Sequence, residues 1–338
     1  MLVLMFGVIG VTLLLFHYFI IKPYNYWKDR GVKQGKPLRI VWDNWKILFG
    51  KENLIEMSQR IYKQSSGERY LGMYQFFGPT LVLRDPDLIK QIAVKDFDHF
   101  TDHNGLIPEE VDPLWGKNLF SLKGHKWRDM RTILSPSFTS SKMKTMFVLI
   151  TECAENFVQH FQKKNGGIVT IEFKDAFTRF ANDVIATSAF GIKVDSLEQP
   201  QNRFYLMGKE TTNFSGFWKT LKILGYFICP KIYSLMKIQL FSKEVNIFFQ
   251  KIVMDMIHLR EEKNIVRPDM INLLIEARRK IPKLDGEENG TFDTEFSIAQ
   301  KSDLLKAAKP HREITDMDIT AQAMIFFFAG FDGVSGLM

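Results

Sequence analysis

TDMDITAQAMIFFFAGFDGVS, residues 315–335, combines an apolar helix with two residues that such a helix seldom contains. Thr315 and Asp318 predict a capping box, and the residues after them are apolar on nearly every side, as in a helix through a core. Gly330 costs about 1 kcal/mol in a helix interior, and a buried, unpaired Asp332 would cost more. A glycine cap at a helix end would explain Gly330 but not Asp332. We therefore expect a place where a ligand approaches the backbone and an acid is held for use.

The overall composition is that of a globular protein. The 338 residues are 46% hydrophobic and 25% charged, which is ample for a sizeable core. The net charge of +7 is spread along the chain, so we expect no nucleic-acid partner. Cys153 and Cys229 are too few for a disulfide framework and lack Cys-x-x-Cys spacing, which favours a reducing compartment and argues against structural zinc. No residue of this sequence is predicted to bind a metal.

The N-terminus predicts a membrane anchor. Leu2 to Ile21 contains no Asp, Glu, Lys or Arg and has about the 20 residues that span a bilayer core. A cleavable signal peptide is the alternative, but its charged start and small-residue cleavage site are not evident. Basic residues from Lys22 to Arg39 follow, which predicts a cytosolic body. The expected organisation is an anchor at 1–21, a basic juxtamembrane linker at 22–40 and a single domain at 41–338.

The body of the chain predicts a mainly α domain with a small β-sheet. Glu68–Phe77 and Thr80–Arg84 are predicted strands around a Gly78-Pro79 turn, and Asp85-Pro86 is a helix start. The segment Lys283–Lys309 is polar and charged, so it is predicted to be an exposed connection. The predicted helices are Lys126–Leu134, Ser141–Lys163, Lys174–Ala189, Arg203–Thr212, Lys243–Lys263, Asp269–Arg279 and the segment from Thr315 onward.

A second candidate site lies on the helix that follows residue 125. Trp127 and Arg131 are four residues apart, so their side chains share a helix face. An indole N–H and a guanidinium are both donors and suit a carboxylate or phosphate partner. The alternative is a Trp packed on the core beside an Arg that points to solvent.

Two of these motifs resemble those of a known family. AlaGlyPheAspGlyValSer, 329–335, is similar to the oxygen-binding segment Ala/Gly-Gly-x-Asp/Glu-Thr-Thr/Ser of the cytochrome P-450 haem monooxygenases, and TrpArgAspMetArg, 127–131, matches their Trp-x-x-x-Arg helix. Four further stretches resemble the insect microsomal detoxification branch of that family: ArgAspProAspLeuIleLysGlnIle (84–92), PheAspHisPheThrAspHis (97–103), AspValIleAlaThrSerAlaPheGlyIle (183–192) and ArgProAspMetIleAsnLeuLeuIle (267–275).

The resemblance implies a cytochrome P-450 fold and haem as the cofactor. By this resemblance Trp127 and Arg131 would donate to the haem propionates, Ala329 and Gly330 would open the helix where dioxygen sits, and Asp332 would belong to the proton-delivery route. Substrate would meet the loop Phe100–Asp112 and the aromatic residues Phe214, Phe217 and Trp218, for which core packing is the alternative.

The resemblance also implies the reaction and the partners. The enzyme would sit on the cytosolic face of the endoplasmic reticulum membrane, in contact with lipid. It would take electrons from an NADPH-dependent cytochrome reductase and insert one oxygen atom from O2 into a lipophilic small molecule.

The chain departs from the family pattern at two places. Gly333 stands where the family has threonine, which removes a hydroxyl, and Ser335 lies about half a turn further round. Neither Cys153 nor Cys229 fits the ligand loop Phe-x-x-Gly-x-x-x-Cys-x-Gly. We therefore expect a partial chain that ends in the oxygen-binding helix, lacks the Cys loop and is inactive alone. The alternative is a truncated, non-catalytic membrane-bound binding protein.

Overall fold

The computed structural model describes residues 2–18, 25–34, 46, 50–64, 66–75, 78–105, 107–163, 167–214, 216–228, 230–284 and 314–337. Residue contacts divide the chain into two compact units, the first made of Met1–Thr101 with Leu224–Cys229 and the second of Asp102–Ile223 with Pro230–Met338. The predicted boundaries at residues 21 and 40 fall outside the described residues.

The first unit contains the small β-sheet. Its elements are α1 (Leu2–Phe16), α2 (Leu54–Gln64), β1 (Tyr70–Gln75), β2 (Gly78–Leu83) and α3 (Pro86–Lys90). The two strands are antiparallel, with Tyr70 opposite Leu83 and Gln75 opposite Gly78. The predicted hairpin is confirmed, but the predicted turn is wrong, because Gly78 and Pro79 are the first residues of β2. A proline is tolerated there, near the start of a strand in a two-stranded sheet.

The start of α3 confirms the predicted helix signal. The Asp85 carboxylate accepts hydrogen bonds from the backbone N–H groups of Asp87 and Leu88, and Pro86 occupies the first helical position. A proline has no N–H to leave unsatisfied at that position, and its fixed φ suits a helix start.

The predicted N-terminal anchor is only partly covered by described residues. Helix α1 is Leu2–Phe16, and the end of the predicted span at Ile21 lies outside them. Among the residues described, one helical stretch, Asp316–Leu337, is long and apolar enough to cross a membrane by length and composition. Half of its most apolar window is buried inside the protein, as in a core helix.

The second unit is helical in all its described secondary structure. Most helices begin and end within two residues of the predicted ones, although α12 runs on into the predicted connection, whose remaining residues lie outside the described chain. The predictions omitted α4, α9 and α10. The helices are α4 (Pro113–Gly116), α5 (Gly124–Leu134), α6 (Ser140–Lys163), α7 (Phe173–Ser188), α8 (Arg203–Thr212), α9 (Phe217–Ile228, shared with the first unit), α10 (Pro230–Leu235), α11 (Lys243–Lys263), α12 (Met270–Leu284) and α13 (Asp316–Phe328).

Helix α13 is the central helix of the second unit, as its apolar sequence predicted. Its start carries the predicted capping box between Thr315 and Asp318. Phe327 is fully buried, and three phenylalanine rings surround it at centroid distances of 5.3–6.0 Å: Phe190, Phe204 and Phe249. These rings come from the end of α7, from α8 and from α11, so one aromatic residue joins four parts of the chain.

A buried ion pair joins α11 to the start of α12. Arg260 donates to both carboxylate oxygens of Asp269, at 2.6 and 2.7 Å, and both side chains are almost completely buried. Asp269 also accepts from the backbone N–H of Asn272. Gly191 makes room for the pair, since a Cβ there would lie 1.9 Å from Arg260 Nη2.

We expect Gly191→Ala to destabilise the protein strongly. The new methyl group would displace the Arg260 guanidinium from Asp269. Breaking a buried ion pair in this way costs about 3–5 kcal/mol. The matched control is Gly167→Ala, because Gly167 also has a positive φ (+78° against +71°) but has open space around it. The control should cost about 1–2 kcal/mol of backbone strain. Equal losses of the free energy of unfolding, measured by chemical denaturation, would contradict this reading of Gly191.

Candidate functional site

The central helix changes geometry at the sequence motif. After α13 ends at Phe328, residues Ala329–Val334 form a π-helical turn, which we call the π-segment, and Ser335–Leu337 return to α-helix. A single π-helical turn within an α-helix is uncommon and occurs frequently at functional sites. The motif therefore coincides with a local widening of the helix.

Gly330 is required by close packing against α7. A Cβ at Gly330 would lie 2.5 Å from Ile185 Cδ1 and 3.1 Å from its Cγ1. A Cβ at Gly333 would have no heavy atom within 4 Å, and Ala329 is exposed. Packing thus accounts for Gly330, and the dioxygen role expected of Ala329 and Gly330 stays a prediction.

Asp332 is exposed and paired, so the expectation of a buried acid is wrong. Lys174 Nζ donates to Asp332 Oδ1 at 2.9 Å and to Ser335 Oγ at 3.3 Å. The Ser335 hydroxyl in turn donates to the Asp332 carbonyl oxygen at 3.2 Å. The preceding residue, Phe331, is buried. Because the chain passes from the core to solvent within one residue, the carboxylate lies at the solvent edge.

No sequence pattern predicted a role for Lys174. Glu172 caps the first turn of α7 by accepting from the backbone N–H groups of Lys174 and Asp175. The capped turn fixes the backbone from which Lys174 reaches the π-segment. Lys174 and Asp332 are 158 residues apart, and no local pattern links them.

Trp127 and Arg131 both lie on α5, one turn apart, as predicted. Trp127 is half-buried and packs against the main core cluster, whereas Arg131 is exposed. The Arg131 guanidinium makes no hydrogen bond or ion pair with any residue in the described ranges. The structure thus places the indole of Trp127 on the core and leaves the charge of Arg131 available.

A short 3-10 turn connects α5 with the central helix. Residues Ser135–Phe138 form this turn, and the rings of Phe138 and Phe326 lie 5.6 Å apart. Phe326 is four residues before Gly330. The end of α5 therefore lies beside the central helix about one turn ahead of the π-segment.

Aromatic residues cover another side of the central helix. Trp115 contacts both Phe328 (5.6 Å between ring centroids) and Phe241 (5.9 Å), and Phe214 contacts Phe328 (5.6 Å). Trp218, also predicted to meet substrate, is 77% exposed, and the Phe217 side chain lies outside the described set. Trp115 was not among the predicted residues, although Asp112-Pro113 is the same helix-start signal as Asp85-Pro86.

Asp112 holds this aromatic region together from the predicted loop Phe100–Asp112. Its fully buried carboxylate accepts from the backbone N–H groups of Leu240 (2.9 Å), Phe241 (3.2 Å) and Trp115 (3.4 Å). Burial raises the pKa of Asp112 above its ordinary value despite these hydrogen bonds. A carboxylate thus fixes two segments about 128 residues apart.

Comparison with known proteins shows the family of this chain. The cytochrome P450 family model matches residues 36–336. This chain belongs to the cytochrome P450 family. It is 40% identical to cytochrome P450 9e2 of Blattella germanica, over 93% of this chain and 59% of that protein. It is 35% identical to probable cytochrome P450 9f2 of Drosophila melanogaster, over 98% of this chain and 62% of that protein.

Family membership confirms the resemblance inferred from the sequence, including its insect branch. A third relative, cytochrome P450 6k1 of Blattella germanica, is 33% identical over 91% of this chain. The chain spans about three-fifths of the length of the curated relatives it matches. The predicted fold class, mainly α with a small sheet, is confirmed as well.

The described residues include hydrogen-bond donors suited to the carboxylates of the family's haem cofactor. Arg131 offers a guanidinium that pairs with no described residue and suits a haem carboxylate, and Trp127 lies one turn away on the same helix. Cys153 is half-buried, and burial raises the pKa of its thiol to about 11. Cys229 lies outside the described ranges.

We expect opposite effects from alanine at the two motif glycines. Gly330→Ala should lower the free energy of unfolding by about 1–3 kcal/mol, because the methyl group overlaps Ile185. Gly333→Ala, in open space three residues later, should raise it by about 0.5–1 kcal/mol, because a helical glycine is costly.

The Ile185→Val background tests whether packing against Ile185 causes the Gly330→Ala penalty. Ile185→Val removes the Cδ1 atom that Gly330→Ala would meet, so the Gly330→Ala penalty should shrink in that background. Chemical denaturation of the four variants measures both effects. An unchanged penalty would refute the packing explanation.

Proposed function

We propose that this chain is the N-terminal part of a haem-dependent monooxygenase that inserts one oxygen atom from O2 into lipophilic small molecules, xenobiotic or endogenous. The observation that carries the proposal is the Arg131 guanidinium, which makes no hydrogen bond or ion pair with any described residue and lies one helical turn from Trp127, in a chain of the cytochrome P450 family. Haem, when bound, supplies the redox chemistry that activates O2.

The residues of this chain would bind and orient the cofactor and manage protons. Arg131 and Trp127 would donate hydrogen bonds to the haem carboxylates, and the bond from Arg131 would be charge-assisted. Asp332, at the solvent edge, takes up protons from water and passes them inward, because oxygen activation consumes protons at a dry site. Gly333 provides no hydroxyl beside Asp332. Oxygen consumption is therefore less tightly coupled to product formation than in family members with threonine at this position.

The aromatic residues on the other side of the central helix would face the substrate. Trp115, Phe214 and Phe328 present apolar ring surface and exclude water, which suits a lipophilic molecule. Trp218 and the loop Phe100–Asp112 would also contact the substrate.

The remaining parts of the proposal concern segments and partners beyond the described residues. The iron's thiolate ligand comes from a Cys loop that these 338 residues do not contain, and an NADPH-dependent cytochrome reductase supplies electrons. Residues Leu2–Ile21 anchor the protein with its body on the cytosolic face of the endoplasmic reticulum membrane.

The thiolate-type carbon monoxide band tests where the iron ligand lies. The 338-residue chain, made with haem available, should show no such band, because neither of its cysteines fits the ligand pattern. A longer gene product that contains this chain and the Cys loop should show it. A clear band from the 338-residue chain alone would overturn the proposal that the ligand lies elsewhere. Absence of the band from the longer product would favour a non-catalytic binding protein.

Arg131→Ala should weaken haem retention in the longer product. Loss of a charge-assisted hydrogen bond costs about 1.5–3 kcal/mol, which corresponds to about a tenfold or greater loss of affinity. Arg131→Lys should retain part of the affinity, because the charge stays but the bidentate geometry is lost. Transfer of haem to an apo-acceptor protein, followed by absorbance, measures the loss.

The matched control for Arg131→Ala is Lys144→Ala. Lys144 is an exposed cation on α6, the helix that follows α5 and its 3-10 turn. Its removal changes the net charge equally without touching the face that carries Trp127 and Arg131. Equal haem loss in both variants would show that net charge matters, not the position of Arg131.

A further inference from the structure

The ammonium group of Lys174 makes two contacts, one with Asp332 of the π-segment and one with Ser335, the residue that follows the segment. The distances from Nζ are 2.9 Å to Asp332 Oδ1 and 3.3 Å to Ser335 Oγ, and Ser335 closes the ring by donating to the Asp332 carbonyl oxygen. We call these three residues the lysine clasp. The clasp joins α7 to the end of the central helix.

The neighbour of Lys174 on α7 supports the same segment from within. Asp175 pairs with Arg179 (2.7 Å) and accepts a hydrogen bond from the Tyr205 hydroxyl (3.0 Å). The buried Tyr205 ring lies 5.9 Å from that of Phe331, the π-segment residue before Asp332. The first turn of α7 therefore contacts the π-segment through Lys174 in solvent and, by way of Asp175 and Tyr205, through Phe331 in the core.

The clasp is poorly suited to stabilising the fold. The side chains of Lys174 and Asp332 are 53% and 65% exposed, and ion pairs in such positions contribute little to global stability. The buried contacts of Gly330 and Phe331 already fix the backbone of the segment as far as Phe331, and the exposed residues 332–334 lack such contacts. What the packing leaves open is the direction of the Asp332 side chain, and the clasp determines that direction.

We infer that Lys174 is a positioning residue for Asp332. Its ammonium holds the carboxylate toward α7 and at the solvent edge, and it holds Ser335 in the turn that follows the π-segment. This inference rests on the proposed function, in which Asp332 takes up protons from water. An acid that is held by one exposed lysine is accessible to water and can leave its partner without any change in the core.

Hydrogen exchange tests the clasp without any need for activity. In Lys174→Ala the backbone amides of residues 332–337 should exchange about two- to fivefold faster, as expected for loss of an exposed ion pair. Lys174→Arg should restore the slow exchange. The control is Lys251→Ala, which removes an exposed ammonium from α11 that pairs with no residue in the described ranges. Unchanged exchange in Lys174→Ala would overturn the clasp.

Oxygen coupling in the haem-loaded, longer gene product tests the role in proton delivery. Lys174→Ala should lower the product formed per NADPH consumed, and Lys174→Arg should recover it, while haem retention stays unchanged. The double variant with Asp332→Asn should couple no worse than Asp332→Asn alone, because Lys174 acts through Asp332. Independent, additive losses would overturn the positioning role.

The two measurements separate the two hypotheses. If the wild-type longer product does not turn over any substrate, the proposed function fails, and exchange still decides whether Lys174 positions the segment. If turnover is normal and exchange responds but coupling does not, the proposed function stands and the positioning role is refuted.

Discussion

The burial of the central helix on nearly every side is the constraint on which the second unit depends. A helix without a solvent face needs close neighbours all round, and small residues provide them. Ala321 and Ala323 are fully buried, and a Cβ at Gly208 of α8 would lie 2.4 Å from the Phe327 ring. Because protein cores are packed as densely as organic crystals, each of these positions tolerates little change in volume.

The same constraint explains how polar groups on the central helix are satisfied. Gln322 is completely buried, and its amide both donates to the Lys117 carbonyl oxygen and accepts from the Leu119 N–H, each at 2.8 Å. A buried amide without such partners would be costly, so Gln322 and the 117–119 segment fix each other. The polar residue that interrupts the apolar pattern therefore attaches the segment that follows Trp115 to the helix.

Sequence patterns predicted what depends on local chemistry. The capping box at Thr315, the cap at Asp85 and most helix ends follow from neighbouring residues, and the family followed from short motifs of at most ten consecutive residues. The hairpin turn was misplaced because Gly78-Pro79 is also compatible with the start of a β-strand. Helices α9 and α10 were missed because they lie in an apolar stretch where core packing and helical periodicity look alike.

Local sequence patterns did not predict the long-range contacts of the candidate site. Gly330 fitted both a ligand approach and a packing contact, and only the position of Ile185 on α7 distinguishes them. The pairing of Asp332 with Lys174 likewise depends on how α7 crosses the end of the central helix. Burial of Asp332 was inferred from its apolar neighbours, but the chain leaves the core immediately after Phe331.

The energies at this crossing fall into two classes. Burying a large apolar side chain such as Phe331 contributes about 1.5–3 kcal/mol, whereas an exposed ion pair such as Lys174–Asp332 contributes about 0.2–1 kcal/mol. The apolar contacts therefore hold the π-segment in place as far as Phe331, and the weaker polar contacts orient its acid and hold the turn that follows. Since thermal energy is comparable to the weaker class, Asp332 can change partners while the widened turn and the core beneath it stay intact. A fixed backbone with a side chain that can reorient suits the proton-delivery role proposed for Asp332.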